Sequence, residues 1–205
     1  MKLTVFGSTG GIGRQLVRLG LERGHTMTAV ARRPVDDLGC EVVVTGLDDA
    51  DAVAGAVAGR DAVFSALGIR AREAATVQAD GARAETAAML ATGVRRIVSV
   101  DAAGRLTDAG DSPVMRYVAK PIVQRILRAN FADLAAAEAV LKASGLDWTL
   151  IAPPRLTDGG HRPYRTVLDV SVRGGRTLSR ADVADAMLRA LDEPSWIHRR
   201  VSPAY

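Results

Sequence analysis

Short runs of mostly apolar residues alternate along the chain with longer segments of helical spacing. The runs occupy residues 2–6, 26–31, 41–44, 61–66, 96–100 and 147–152. Their near-continuous apolar character is typical of strands that are covered on both faces. The alternation therefore predicts βα units around a doubly wound, Rossmann-like parallel sheet of six strands, which is an α/β fold.

The segments between the runs place apolar residues on one helical face, over about 12–23, 49–58, 76–92 and 114–143. Gly24 follows the first of these, where a left-handed cap commonly ends a helix. A last helix is predicted from about 180 to 191, with Ser179 as its N-cap. This helix is expected to pack over the edge of the sheet.

Three irregular stretches, residues 68–75, 102–113 and 153–177, each follow a predicted strand. Loops beyond the carboxyl ends of parallel strands form the ligand crevice of such sheets. We therefore expect these stretches to converge on one site. The late loop, about 153–177, and the helix at about 180–191 should complete its substrate side within a single domain spanning 1–205.

Composition narrows the functional classes. The 205 residues are 48% hydrophobic and 24% charged, as in an ordinary globular protein. The net charge of +4 is spread along the chain and aromatic content is 4%, which disfavours nucleic acid as a partner. No apolar run reaches the roughly 18 residues of a membrane span. With glycine at position 7, a signal-peptide core cannot form, so we expect a cytoplasmic protein without a membrane partner.

The sequence lacks the residue patterns of metal sites, reactive thiols and hydrolases. Cys40 is the single cysteine and lies beside an apolar run, which favours packing. The histidines, His25, His161 and His198, are far apart without paired ligand spacing, so no metal site is predicted. His161 follows two glycines in the late loop and could lie at the edge of a pocket.

The sequence from Val5 to Gly13 is a strand end, three glycines spaced G-x-x-G-x-x-G and the start of a helix. Gly7 is predicted to make the sharp turn, and Gly10 to let the backbone approach a pyrophosphate. Gly13 is predicted to allow close packing of the helix. The helix N-terminus would present free amides to the phosphates, which predicts a dinucleotide site.

The second strand ends in Ala31-Arg32-Arg33-Pro34. An acidic residue at this place would bind the ribose hydroxyls of NAD, whereas guanidinium groups would pair with the extra phosphate of NADP. Arg32 and Arg33 therefore predict NADPH or NADP as the cofactor, and a solvated basic turn is the alternative.

The glycine segment, Ala31-Arg32-Arg33-Pro34 and Asp61-Ala-Val-Phe-Ser-Ala-Leu-Gly68 together resemble the atypical short-chain dehydrogenase/reductases. The later segments Leu141–Thr157 and Thr177–Ala184 are similar to the NAD(P)H-binding subgroup with the NmrA-like proteins and biliverdin reductase B, a flavin reductase. The resemblance covers nearly the whole chain. It implies a Rossmann-like fold and an oxidoreductase.

The resemblance also implies site residues. Thr9, Gly10, Gly11, Ile12 and Gly13 match the phosphate loop of the family, and Arg32 and Arg33 its adenosine-phosphate region. The loop beside ribose and nicotinamide corresponds to Leu67, Gly68 and Ile69, and backbone near the nicotinamide to Ala152, Pro153 and Pro154. Many relatives have Gly-Asp after the third strand. This chain has Thr45-Gly46-Leu47-Asp48 there, so Leu47 would cover the adenine instead.

Candidate proton donors are few. Carbonyl-reducing members use Tyr-x-x-x-Lys, but Tyr117 and Lys120 are three residues apart, which still shares a helix face. They are a catalytic pair or a surface tyrosine and lysine. Asp101 follows the fifth strand, where relatives often have serine, and could donate a proton if burial raised its pKa, or could cap a loop.

The leading hypothesis is an NADPH-dependent reductase that transfers hydride to a small conjugated or carbonyl acceptor, such as a flavin or quinone. Such transfer needs mainly stacking against the nicotinamide, with protons from water. The alternatives are a non-catalytic NADP(H) sensor of the NmrA-like type and, third, an epimerase or dehydratase. A monomer or small homo-oligomer is expected.

Overall fold

The computed structural model describes residues 1–68 and 76–205. The strands formed by these residues, in chain order, are β1 (Lys2–Phe6), β2 (Thr26–Ala31), β3 (Glu41–Val44), β4 (Ala62–Ser65), β5 (Arg96–Val100), β6 (Asp147–Ile151), β7 (Arg155–Thr157), β8 (Arg165–Leu168), β9 (Thr177–Ser179) and β10 (Arg199–Ala204).

The helices formed by the same residues are α1 (Gly11–Glu22), α2 (Ala50–Val57), α3 (Val77–Thr92), α4 (Lys120–Ile126), α5 (Arg128–Ala143) and α6 (Arg180–Arg189). A π-helical turn, Met115–Ala119, leads directly into α4. Gly24 has φ +77°, as the left-handed cap predicts. Ser179 caps α6 by accepting a hydrogen bond from the backbone N–H of Asp182 at 3.0 Å.

The main sheet has the order β3-β2-β1-β4-β5-β6-β10-β8. Its first six strands are parallel, as predicted, and β10 continues the parallel set beside β6. The edge strand β8 is antiparallel to β10. A separate small sheet pairs β7 with β9 in parallel. The sheet therefore extends the predicted doubly wound architecture by two strands.

Helices cover both faces of the sheet. On one face Leu16 of α1 and Met187 of α6 pack into a core that includes Val5 and Phe64. On the other face Val53 of α2, Met89 of α3 and Leu141 of α5 pack into a second core. The prediction that α6 lies over the sheet edge is wrong. This helix lies beside α1 and is buried from Ala181 to Leu188, because α1, β6 and β9 surround it.

The helical region expected at 114–143 is interrupted. Leu127, with φ −98° and ψ 21°, separates α4 from α5. Before this break the polar side chains at every fourth position, Arg116, Lys120 and Gln124, hydrogen-bond inward. The apolar side chains of Val114, Val118, Ile122 and Ile126 are 54–74% exposed. The segment is thus amphipathic with its apolar stripe toward solvent.

No helix within residues 1–68 and 76–205 is long and apolar enough to cross a membrane.

Candidate functional site

The chain makes a tight turn where β1 ends. Gly7 has φ +74°, and a Cβ on it would lie 2.5 Å from the carbonyl oxygen of Ala66. A Cβ on Gly13 would lie 2.2 Å from the carbonyl oxygen of Gly7. The Ser8 hydroxyl donates to the carbonyl of Val30 at 2.8 Å and ties the turn to β2. The turn is therefore wedged between β1, β4 and α1, where side chains at Gly7 or Gly13 would not fit.

A cavity of about 550 Å³ opens at the carboxyl edge of the sheet. The strand registers place Phe6, Ser65 and Ser99 in one row, so the residues after β1, β4 and β5 meet at this edge. The described residues that line the cavity are Phe6, Gly7, Thr9, Gly10, Gly11, Ile12, Val30, Ala31, Arg32, Thr45, Leu47, Ala66, Leu67, Gly68, Val77, Gln78, Val100, Asp101, Ala102, Asn130, Leu134, Leu156 and Arg180.

The glycine turn presents a helix start to this cavity. Gly10, Gly11 and Ile12 line it at the beginning of α1, whose first turn has no acidic residue. The first amides of a helix have no partner within the helix and lie at the positive end of its dipole. Gly13 does not line the cavity, since it faces Gly7 and Ser8. This end of the cavity is suited to bind a phosphate group.

The two arginines after β2 are placed differently. Both are exposed, but Arg32 lines the cavity together with Thr45 and Leu47, whereas Arg33 lies outside the lining. A contact of both guanidinium groups with the cofactor stays a prediction, which the cavity lining supports for Arg32 and not for Arg33. Cover of an adenine by Leu47 likewise stays a prediction.

The backbone at Ala152 and Pro153, which was expected to lie near the nicotinamide, does not line the cavity. The carbonyl of Pro153 accepts a hydrogen bond from the N–H of Ala103 at 3.0 Å, and the N–H of Ala152 donates to Val201 at 2.8 Å. These backbone groups are used within the fold and do not line the cavity. Leu156 of β7 lines it instead. Leu67 and Gly68 line the cavity as predicted, and Ile69 lies outside the described residues.

The expected convergence of the three irregular stretches is correspondingly limited. Among their described residues, Gly68, Ala102 and Leu156 reach the cavity wall. Within 102–113, Lys120 hydrogen-bonds to the carbonyl of Leu106 at 2.5 Å and to Asp111 at 2.7 Å. Much of 153–177 forms β7, β8 and their connections.

Sequence reasoning missed one wall of the cavity, made by the starts of α3 and α5. Gln78 donates to Asn130 through its side-chain amide at 2.9 Å, and both line the cavity. The buried carboxylate of Asp133 accepts from the N–H groups of Gln78 and Ala79 at 2.9 Å each, which fixes the start of α3. These residues are 52 to 55 positions apart, so no local pattern indicates their meeting.

Asp101 lines the cavity as an ionised carboxylate. It is 4% exposed and accepts hydrogen bonds from Arg105 at 2.9 Å and Arg200 at 2.8 Å. Burial alone would raise the pKa of Asp101, but the hydrogen bonds and charges of these two arginines outweigh burial and hold that pKa below its ordinary value. The hypothesis of a proton-donating Asp101 is therefore contradicted. Arg105 is also paired with Glu138, which completes a buried ionic cluster.

Tyr117 and Lys120 do not form a catalytic pair. Tyr117 is 73% exposed in the outward stripe, whereas Lys120 is 3% exposed and points inward. The Lys120 ammonium donates to the carbonyl of Leu106 and to Asp111. Neither residue lines the cavity. A shared face at a spacing of three residues requires a regular α-helix, and the π-helical turn at Met115–Ala119 changes which residues share a face.

Glu85 is a buried acid behind the Leu67–Gly68 turn. Its carboxyl accepts from the hydroxyl of Ser65 at 2.9 Å, and Oε2 has no hydrogen-bond partner among the described residues. Burial raises the pKa of Glu85 to about 8, against the lowering effect of the Ser65 hydrogen bond. The group is thus mostly uncharged at neutral pH. No signal in the sequence indicated it.

Within the described residues, no group of three or more His, Cys, Asp or Glu side chains is arranged to hold a metal ion. His161 hydrogen-bonds to the buried Asp182 at 2.6 Å and does not line the cavity.

The sequence profile of an NAD(P)H-binding family matches residues 7–194, which include the whole glycine turn. The chain belongs to this NAD(P)H-binding family. Apart from Phe6, the matched range also contains every described residue that lines the cavity.

Solved structures support the same fold. A protein from Burkholderia pseudomallei, proposed to be exported, is 27% identical, with a TM-score of 0.82 and full coverage of both chains. A proposed NADH-flavin reductase from Streptococcus pneumoniae is 22% identical, with a TM-score of 0.81, covering 100% of this chain and 99% of its own. A short-chain dehydrogenase/reductase from Veillonella parvula, solved with NADP, is 19% identical, with a TM-score of 0.78, covering 100% of this chain and 94% of its own.

The residues present fit a nicotinamide dinucleotide. A Cβ at Gly7 or Gly13 would collide with backbone, so the turn can be this tight only with glycine. The turn leaves the start of α1 open to the cavity. Arg32 lines the cavity on one side of the turn, and Ala102 and Leu156 line it on the other. The geometry of the site thus agrees with the nicotinamide-dinucleotide binding that characterises the family.

Proposed function

We propose that the protein is an NADPH-dependent reductase that transfers hydride to a small conjugated or carbonyl acceptor such as a flavin or a quinone. The observation that carries this proposal is the cavity itself. It continues past the glycine turn to an end lined by Val100, Ala102 and Leu156, whose apolar side chains suit a flat conjugated ring.

The chain's own residues would hold the cofactor along this cavity. The amides at Gly11 and Ile12 would bind the pyrophosphate, since the Gly10 N–H already donates to the carbonyl of Gly7 at 3.0 Å. Leu47 would cover the adenine. Leu67 and Gly68 would lie beside the ribose and nicotinamide. When bound, the reduced nicotinamide supplies the hydride.

Arg32 supports NADPH over NADH. It lines the cavity at the end of β2, where an acidic side chain would instead favour the free ribose hydroxyls of NADH. A guanidinium suits a phosphate monoester because its planar donors match two phosphate oxygens.

The ionised state of Asp101 supports an acceptor that needs no proton from the protein. Acid catalysis requires a group that holds a proton near the operating pH, and two arginines keep this carboxyl deprotonated. Flavins and quinones can take protons from water after hydride transfer. The role of the chain at this end is then to place the acceptor against the nicotinamide and to exclude bulk water.

One observation favours a second candidate function, a redox sensor that reports the NADPH/NADP ratio to a partner protein. The stripe of Val114, Val118, Ile122 and Ile126 faces solvent, as a surface that contacts another molecule would.

Single-turnover mixing separates the two functions. The NADPH-loaded protein is mixed without oxygen with a flavin, a quinone or an aldehyde, and NADPH absorbance is followed. The proposal predicts rapid oxidation by a conjugated acceptor, slower when the transferred hydrogen is deuterium. Tight NADPH binding without oxidation by any of these acceptors would contradict it and favour the sensor.

A further inference from the structure

The side chain of Arg180 lies at the beginning of two helices. Arg180 is the first residue of α6, and its stem packs against Gly11, the first residue of α1. A Cβ on Gly11 would fall 2.5 Å from Cδ and 2.8 Å from Nε of Arg180. Arg180 also lines the cavity, so its guanidinium is beside the site expected for the pyrophosphate.

This position is electrostatically unfavourable for a cation. The N-terminus of a helix carries partial positive charge, which attracts anions and repels cations. The first turn of α1 has no acidic residue. In the first turn of α6, Asp182 is engaged by Ser179, His161 and the hydroxyl of Tyr205. Neither helix start therefore provides Arg180 with a carboxylate of its own.

The ion-pair partner of Arg180 is Asp158, and this pair is weak in its surroundings. The Asp158 side chain is 86% exposed, so water screens its charge. An anion at the start of α1 would sit between the helix dipole and the guanidinium and would be favoured by both. The arrangement thus suits an anion that the described part of the chain does not supply.

We propose that Arg180 is a binding residue for the dinucleotide pyrophosphate, with its guanidinium exchanging Asp158 for a phosphate oxygen when the cofactor binds. The inference rests on the dinucleotide binding of the proposed function and is independent of hydride transfer. It assigns the two arginines of the described lining to different phosphates: Arg32 to the phosphate on the adenosine ribose and Arg180 to the pyrophosphate.

This assignment gives the two partners of the ion pair opposite effects on affinity. Removing the guanidinium removes a favourable contact with the pyrophosphate. Removing the Asp158 charge removes a competitor for Arg180 and a negative charge near the phosphates. A pair that merely held the late loop would instead affect affinity in the same direction from either side.

The test is a set of equilibrium titrations with NADPH, NADH and 2′-AMP, which has the ribose phosphate and no pyrophosphate. R180M, which keeps the aliphatic stem over Gly11, should weaken NADPH and NADH alike, by about ten- to a hundredfold. Its affinity for 2′-AMP should be unchanged. D158N should tighten NADPH binding by up to about fivefold.

R176M is the matched control, since Arg176 is an exposed arginine four residues before Arg180 and lies outside the cavity lining. It should bind all three compounds as the unmodified protein does, and thermal unfolding should show that every variant is folded. Unchanged dinucleotide affinity in R180M would overturn the proposal, as would weaker binding in D158N. A loss in R180M confined to acceptor turnover would assign Arg180 to the acceptor instead. Because the titrations need no acceptor, they stay informative if the protein proves to be a sensor.

Discussion

The two ends of the cavity are constructed differently. The phosphate end consists of the glycine turn, the end of β2 and the side chain of Arg180 from α6. The acceptor end consists of residues from β5, α3, α5 and β7, with a buried ionic cluster behind it. Backbone groups bind any dinucleotide in the same way, whereas side chains from distant elements determine which acceptor fits. We therefore expect substitutions at the two ends to separate cofactor affinity from stability and turnover.

The largest effect is expected at the phosphate end. G10V places a branched side chain at the cavity wall where the pyrophosphate must approach, and its Cβ would already be 3.2 Å from the carbonyl oxygen of Gly7. Binding of NADPH and NADH should fall below detection in a fluorescence titration. G55V is the control, because a Cβ on Gly55 of α2 has no atom within 4 Å. Unchanged affinity in folded G10V would place the cofactor elsewhere.

At the acceptor end, D101N should lower stability more than catalysis. Removing the Asp101 charge leaves the buried Arg200 without its carboxylate and Arg105 with Glu138 alone, which costs about 3–5 kcal/mol of unfolding free energy. Denaturant unfolding measures this loss. The rate of hydride transfer in the folded fraction should stay within about tenfold, because general acid catalysis contributes about 100- to 10,000-fold. A rate loss above about 100-fold would identify Asp101 as the proton donor after all.

The raised pKa of the buried Glu85 predicts that the stability of the protein depends on pH. Its pKa is raised from 4.5 to about 8 in the folded chain, so the unfolded chain ionises first as pH rises. Stability should therefore fall between about pH 4.5 and about pH 8 and level off above, by about 1.4 kcal/mol per unit of pKa difference. In E85Q this decline should be absent. Parallel stability curves for the two proteins would contradict the raised pKa.

The two arginines after β2 are expected to differ in their effect on the preference for NADPH over NADH. R32M should lose most of a tenfold or larger preference for NADPH, since a charge-assisted contact to phosphate is worth about 1.5–3 kcal/mol. R33M should keep that preference, because Arg33 lies outside the cavity lining. Calorimetric titration with both cofactors measures the ratio. Equal affinities in the unmodified protein would rule out NADPH selection by Arg32.

The smallest effect is expected for Y117F. Tyr117 is 73% exposed in the outward stripe and does not line the cavity. Steady-state rates with NADPH and a flavin should be unchanged within about twofold, far below the contribution of a general acid. A larger loss would show that the 115–119 turn approaches the acceptor during turnover.

The same contrast explains which features could be predicted from the sequence. The glycine turn is local, since Gly7, Gly10 and Gly13 are three residues apart and their roles follow from backbone space. The six parallel strands were likewise visible, because strands buried on both faces are apolar throughout. Both belong to continuous stretches of chain.

The acceptor end could not be predicted in this way. The Asp101–Arg200 contact joins residues 99 positions apart, and it reverses the direction in which burial alone would move the pKa of Asp101. The strand β8 escaped notice because it has four residues and lies at the edge of the sheet, and β10 because it contains Arg199, Arg200 and Pro203. Proline and charged residues disfavour strand prediction even where an edge tolerates them.

A crystal structure of the protein with NADP would test the proposed reductase most directly. We expect the ribose phosphate at Arg32, the pyrophosphate between the start of α1 and Arg180, and the nicotinamide beside Ala102 and Leu156 with open space for a flat acceptor. A nicotinamide ring covered by the late loop, or a protonatable side chain in contact with its reactive carbon, would contradict the proposed reductase.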